Sequence, residues 1–228
     1  ALGADRVCEA VVAVVRDMCG PGHQAKDDRL RYYAVGALLN LAFSSGRNRD
    51  ALAAQDVLAA VADCAAASDD DLDMQRLCCR AFWILATPPD KADAGAAPRA
   101  PLPDDKLAVV PRAMLRYGED QQLQHFACGA VINLAATSPA VRRALGRVDA
   151  CRAVAACLKR FPRDARVQEY GCRAAVDLRA GKECDMPNFK GSSLGRVPLV
   201  SADFGTSDHP SERSRSVDAF LGTRARGT

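Results

Sequence analysis

The sequence predicts an all-α chain in which about four similar helical units are stacked, followed by an irregular C-terminal tail. Three observations carry that expectation. Hydrophobic residues make up 49% of the 228 residues, yet aromatics make up only 5%, and small or straight-chain apolar residues favour close-packed helices over β-sandwiches. Four segments lie over one another: Tyr33-Ala-Val-Gly-Ala-Leu-Leu-Asn-Leu-Ala42, Leu77-Cys-Cys-Arg-Ala-Phe-Trp-Ile-Leu-Ala86, Phe126-Ala-Cys-Gly-Ala-Val-Ile-Asn-Leu-Ala135 and Tyr170-Gly-Cys-Arg-Ala-Ala-Val-Asp-Leu-Arg179. Their equivalent positions Asn40, Ile84, Asn133 and Asp177 are 44, 49 and 44 residues apart (84−40, 133−84, 177−133), close to the period of helical-repeat arrays. Finally, a second apolar helix precedes each segment, and turn-forming residues separate the two.

The columns of the repeat make physical sense. Tyr33, Leu77, Phe126 and Tyr170 are all large; four residues on, Ala37, Ala81, Ala130 and Ala174 are all small; four further on stand Leu41, Leu85, Leu134 and Leu178. Spacing of i, i+4 and i+8 puts them on one helical face. The alanines would let a neighbouring helix approach closely. Leu30, Met74, Leu123 and Val167, three residues before the large column, continue the same stripe.

The preceding helices are predicted over Val7 to Cys19, Val57 to Ala67, Lys106 to Tyr117 and Ala150 to Phe161. Breakers end them at Gly20-Pro21-Gly22, Ser68 to Asp71, Gly118-Glu119-Asp120 and Pro162-Arg163-Asp164, and such clusters also cap the next helix. Between units a short basic helix is expected at Arg47 to Leu52 and again at Val141 to Leu145. The order in each unit is short helix, helix, longer helix. In the third unit Lys91 to Pro103 carries Pro98, Pro101 and Pro103, so an irregular surface loop replaces the short helix and accounts for the 49-residue step. After Gly181 the chain turns to Gly, Ser, Pro and mixed charge and reads as a tail without its own core.

Composition narrows the function classes. There are 31 basic and 28 acidic residues, a net charge of +3, without the clustered basic excess of a nucleic-acid binder. No run approaches the roughly 20 apolar residues that span a bilayer. The N-terminus has no basic-then-apolar signal pattern and no Met, which suggests a processed or truncated start. The ten cysteines include no C-x-x-C pair, and His23, His125 and His209 are far apart. Buried, reduced thiols packing as small hydrophobes are therefore expected, rather than a disulfide framework or a metal site, and with them an intracellular, reducing compartment, the cytoplasm first. There is no G-x-S-x-G elbow, H-E-x-x-H, phosphate-cradling loop or dinucleotide fingerprint. Cys128 lies three residues from His125 on one helix face, an arrangement that reads as a core cysteine beside a groove histidine. No enzymatic activity and no cofactor are expected.

The pattern A-x-G-A-L-x-N-L-A, followed by a short basic helix and an apolar helix, resembles the armadillo repeat, whose third helix carries an asparagine where Asn40 and Asn133 stand. The three-helix order favours armadillo over the two-helix HEAT repeat. The resemblance implies a right-handed α-solenoid over residues 1–185, with units at about 3–46, 47–90, 91–139 and 140–185, and an extended or disordered tail over 186–228. It also implies that the third helices line a concave groove able to hold an extended protein segment.

The side opposite the Leu/Ala stripe is expected to face that groove. It includes Asn40, Asn133 and Asp177, with Arg80 and Arg173 one turn earlier and Arg76 and His125 two turns earlier. An Asn amide both donates and accepts and can hold a partner's main chain, while Arg80 and Arg173 can read acidic or phosphorylated side chains bidentately. Importin-alpha-like arrays place tryptophans one turn before the asparagine; Gly36, Arg80, Gly129 and Arg173 stand there instead, which disfavours nuclear-signal binding. The expected role is a protein-interaction module, an adaptor or scaffold. The alternative is a structural subunit packed permanently into a larger assembly.

Overall fold

The computed structural model describes residues 4–19, 28–87 and 101–181. The chain divides into two units, Ala1–Ser193 and Leu194–Thr228, and every described residue belongs to the first. The expectations for Gly20-Pro21-Gly22, for most of the Lys91–Pro103 loop and for the 186–228 tail lie outside the described residues.

The regular structure of the described residues is entirely helical. α1 (Ala4–Cys19) leads to the long α2 (Asp28–Ser44), the short α3 (Gly46–Ala53), α4 (Val57–Ala67) and the long α5 (Leu72–Leu85). A one-turn α6 (Asp104–Leu107) then precedes α7 (Val109–Arg116), the long α8 (Gln121–Thr137), the short α9 (Pro139–Arg147), α10 (Ala150–Arg160) and the long α11 (Ala165–Arg179). One expectation is corrected here. The proline-rich stretch does not abolish the short helix before α7, because Pro103 stands as N-cap to the single turn Asp104–Leu107. Proline tolerates that position, where no helical N–H is needed.

Each long helix starts for a local reason. The carboxylates of Asp71, Asp120 and Asp164 accept from backbone N–H groups in the first turns of α5, α8 and α11, filling donors a helix start otherwise leaves unpaired. The short helices α3 and α9 are capped alike: the hydroxyls of Ser45 and Ser138 accept from Asn48 and Val141 N–H. Arg49 and Arg142 then reach back to the carbonyls of Ala42 and Ala135 at 3.3 and 3.2 Å. Asp56 and Asp149, which enter α4 and α10, are the two positive-φ non-glycine residues among the described ones, at φ 49° and 65°; Asp tolerates the left-handed region better than most residues. Each of these pairs is 93 residues apart (138−45, 142−49, 149−56).

The long helices pack in series, α2 on α5, α5 on α8 and α8 on α11, while α1 meets α4, α4 meets α7 and α7 meets α10. The alanine column works as expected where two long helices cross, and Ala81, Ala130 and Ala174 have no exposed surface. At the α5–α8 crossing a second small residue matters more. A Cβ added to Gly129 would sit 2.6 Å from the Trp83 indole, so the ring lies directly on the α8 backbone. The large column fares unevenly. Phe126 is buried, but Tyr33 is 69% exposed, and Leu30, three residues before it in the same stripe, is 45% exposed. Both belong to α2, and among the described residues no helix covers that face as α5 covers the matching face of α8.

The cysteines divide into two groups. Cys8, Cys78, Cys79, Cys128 and Cys157 are buried free thiols and Cys172 is half-buried; burial pushes the Cys79 thiol up to about 12 and Cys78 higher still. Cys19 and Cys64 instead form a disulfide, with Cα atoms 5.5 Å apart, and Cys151 is disulfide-bonded too. The expectation of uniformly reduced cysteines is thereby corrected. The α1–α4 packing brings the end of one helix against the middle of the next, a juxtaposition that sequence spacing does not reveal. The Cys19–Cys64 bond closes a loop with a sequence separation of 45, so its reduction should lower unfolding stability by roughly 2–4 kcal/mol. Denaturant melts of the oxidised protein and of the unreduced Cys64→Ser variant measure this, and full reduction should lower stability further than the variant does, because it also breaks the Cys151 bond.

Candidate binding surface on the long helices

The residues expected to form a site lie on α2, α5, α8 and α11, and their surroundings begin with how each long helix is held. Gln75, Gln124 and Gln168 occupy one column (124−75 = 49, 168−124 = 44). Each donates its amide N–H groups to two carbonyls at the end of the preceding helix: Ala65 and Ser68, Met114 and Tyr117, Leu158 and Phe161, all at 2.7–3.1 Å. The amide, buried at Gln75 and Gln124 and half-buried at Gln168, satisfies carbonyls that a helix end leaves without partners and fixes the turn between the two helices. The α2 member of the column is Arg31, buried, which donates to the Ser68 hydroxyl at 3.0 Å. Sequence reasoning missed this column although its spacing was visible, because a glutamine in a helix ordinarily reads as surface.

Arg76 of α5 donates to both carboxylate oxygens of Asp120 and, at 2.7 Å, to Asp73. The Arg76 hydrogen bonds, helped by the Leu123 N–H, hold the Asp120 carboxyl below its ordinary range against the opposing effect of burial. Asp120 thus caps α8 and links it to α5. Arg76 serves this inter-helix bridge.

Arg80 lies over the Phe126 ring, 5.7 Å from its centroid, a cation–π distance. His125 packs edge-on to Trp83 and Tyr170 at 5.3 and 4.7 Å between ring centres, and Trp83 meets Tyr170 at 5.2 Å. Trp83 from α5, His125 and Phe126 from α8 and Tyr170 from α11 therefore form one aromatic cluster across three helices. Trp83 and Phe126 are buried, and His125 and Tyr170 are half-buried at its edge. The sequence placed Phe126 and Tyr170 in the core stripe and Trp83 beside it; their meeting depends on side-by-side packing of the helices.

Asn133 is placed differently from the expectation. It is buried, and its amide nitrogen donates to the Trp83 carbonyl at 2.6 Å and the Thr87 hydroxyl at 3.1 Å. It ties α8 to the C-terminal end of α5 instead of presenting an amide to an open groove. Asn40, its counterpart on α2, is exposed and takes no part in the aromatic cluster. On α11, Arg173 and Asp177 face each other at 3.7 Å, both partly buried. Burial raises the Asp177 carboxyl, opposed by Arg173 and Arg142. The structure thus gathers Arg80 and His125 at the aromatic cluster and pairs Arg173 with Asp177.

Among the described residues no three His, Cys, Asp or Glu side chains are grouped to hold a metal ion, and no helix is long and apolar enough to cross a membrane. A hollow bounded by Asp56, Val57, Leu85 and Leu102 encloses about 30 Å³, room for a water rather than a drug-sized ligand. No protein-family model, curated protein or solved structure matches this chain.

Two outcomes follow from these contacts. Gly129→Ala should destabilise by roughly 1–3 kcal/mol, because the new Cβ meets a rigid indole. Gly36→Ala, where an added Cβ meets nothing within 4 Å, should stabilise by about 0.4–1 kcal/mol; thermal melts at low protein concentration would show opposite signs. Arg76→Ala should cost about 1–3 kcal/mol at neutral pH through the bond to ionised Asp120. The Asp120 carboxyl is held low in the fold, so this stability is present above the ordinary carboxylate value of about 3.9 and lost as pH falls through the folded value. Denaturant melts as a function of pH should show the wild-type and Arg76→Ala curves converging in acid.

Proposed function

We propose that the chain is an armadillo-like solenoid of four helical units that serves as a non-enzymatic protein-interaction module. The observation that carries this reading is the recurrence of the same glutamine bonds at steps of 49 and 44 residues, each joining the second helix of a unit to its third. Polar bridges between units keep the same interval: Lys106 with Asp63, Arg147 with Asp104 and Arg160 with Glu119 join residues 41 to 43 apart. Such nearest-neighbour contacts are what a one-dimensional array requires.

Within this reading the partner is an extended protein segment lying across α5, α8 and α11, with acidic or phosphorylated side chains. Arg80 and Arg173 supply the cations, and the half-buried rims of His125 and Tyr170 supply apolar contact. Asn133, spent on Trp83, is removed from the proposed contact set; Asn40 stays as the amide open to a partner on α2. A second reading, a subunit packed permanently in a larger assembly, is favoured by the internal use of Arg76, Asn133 and the aromatic cluster, which leaves fewer groups for capture.

Fluorescence anisotropy against a panel of extended peptides with neutral, acidic and phosphorylated side chains separates the two. Acidic or phosphorylated members should bind, and Arg80→Ala or Arg173→Ala should weaken them at least tenfold, as expected from losing a hydrogen bond to a charged group worth roughly 1.5–3 kcal/mol. Both variants should remain folded by circular dichroism at the assay temperature, although each loses an intramolecular contact, Arg80 with the Phe126 ring and Arg173 with Asp177. Absence of binding across the panel, or wild-type affinity in both variants, would overturn the groove reading.

A further inference from the structure

Residues 28–87 and 121–180 align without a gap at a constant separation of 93. That register compares two helices carrying nearly the same sequence: α2 reads Leu30-Arg-Tyr-Tyr-Ala-Val-Gly-Ala-Leu-Leu-Asn-Leu-Ala42 and α8 reads Leu123-Gln-His-Phe-Ala-Cys-Gly-Ala-Val-Ile-Asn-Leu-Ala135. On α8 the face is covered by α5. Phe126 is 5% exposed beneath Arg80, Gly129 lies under Trp83, and Asn133, 2% exposed, donates to the Trp83 carbonyl. On α2 no helix among the described residues covers the same positions. Tyr33 is 69% exposed, a Cβ on Gly36 would meet nothing within 4 Å, and Asn40 is exposed.

The covering half of that interface also recurs, on α11. Arg173 stands at the position of Arg80 and Val176 at that of Trp83 (173−80 = 93, 176−83 = 93). Val176 is 60% exposed, where Trp83 is 5% exposed against Gly129. One molecule therefore carries both halves of its own α5–α8 contact, one at each end of the helix series.

We propose that this chain associates head to tail with a second copy of itself, α11 of one molecule docking on α2 of the next. Val176 seats on the bare backbone at Gly36, Arg173 lies over Tyr33 as Arg80 lies over Phe126, and the Asn40 amide donates to the Val176 carbonyl. That carbonyl accepts from Ala180 N–H at 3.3 Å and keeps a second lone pair for the incoming amide. A contact of this kind joins unlike faces, so each added copy leaves a fresh α2 and a fresh α11 exposed and assembly continues with concentration. This interface shares Arg173 and Asn40 with the proposed peptide groove, but the proposal is argued from the 93-residue register and does not depend on that reading.

The test is sedimentation velocity on the full chain over two decades of concentration, with Gly36→Glu and Val176→Glu as variants. A Cβ on Gly36 meets nothing within 4 Å and Val176 is 60% exposed, so both variants should fold, as circular dichroism would show. Wild-type protein should grow beyond a dimer with concentration, and each variant alone should associate at least tenfold more weakly. An equimolar mixture of the two should give a dimer that grows no further, since only the intact α11 of one and the intact α2 of the other can pair. A wild-type protein monomeric throughout would overturn the proposal. So would a species stopping at two copies, which indicates a symmetric interface, or a mixture that stays monomeric. Occupation of α2 by a different protein while the chain remains monomeric would overturn it as well.

Discussion

The distance between α5 and α8 is set by an aromatic ring resting on bare helix backbone, and much of the described structure is arranged around that contact. With hydrogen alone at Gly129, the Trp83 indole can lie flat against α8. The close approach then brings Arg80 over Phe126 and carries the Asn133 amide to the Trp83 carbonyl. It also lets Asp120 cap its own helix while accepting from Arg76 on the neighbour. Interiors pack at close to crystal density, so a wider separation would loosen the ring contact and the hydrogen bonds together. Tyr170 completes the arrangement from α11, so three helices share one aromatic centre.

A second constraint acts within each helix pair. Buried and half-buried amide side chains are costly unless satisfied, and Gln75, Gln124 and Gln168 meet that demand by bonding carbonyls left unpaired where the previous helix ends. One side chain thereby closes a helix end and fixes the angle at which the chain re-enters the next helix. The Asp caps at Asp71, Asp120 and Asp164 act a few residues earlier on the same turn. The junctions are accordingly alike although the turn sequences differ, from Ser-Asp-Asp-Asp to Phe-Pro-Arg-Asp.

These two constraints bear on function because they compete with it. The same positions that would face a partner, one turn apart along the long helices, also lie where successive helices meet. Where a neighbour is present, as on α8, polar residues such as Asn133 are drawn into the helix–helix contact. At α2 the equivalent Asn40 remains on the surface. Arg173 and Asp177 occupy an intermediate state, partly buried against each other, with the cost of burying Asp177 visible in its raised carboxyl.

The sequence by itself determined the helices, their order and most of their limits. Period-3.6 patterning, Asp and Ser caps and Gly/Pro breakers are local signals, and α4 ends where Val57 to Ala67 does while α10 differs from its expectation by one residue. It also determined that the alanine column is buried at crossings, because that follows from one helix face. It misjudged what depends on a neighbour. Leu30 and Tyr33 read as core in the same column as Leu123 and Phe126, yet only a helix lying across α2 could bury them. Asn133 read as an open amide, yet its environment is set by the end of α5, 46 to 50 residues away in sequence. Cys19 and Cys64 read as separate thiols until the packing of α1 on α4 joined them. In each case the deciding quantity is the distance between two helices, which comes from packing along the whole series and is absent from the pattern of any single one.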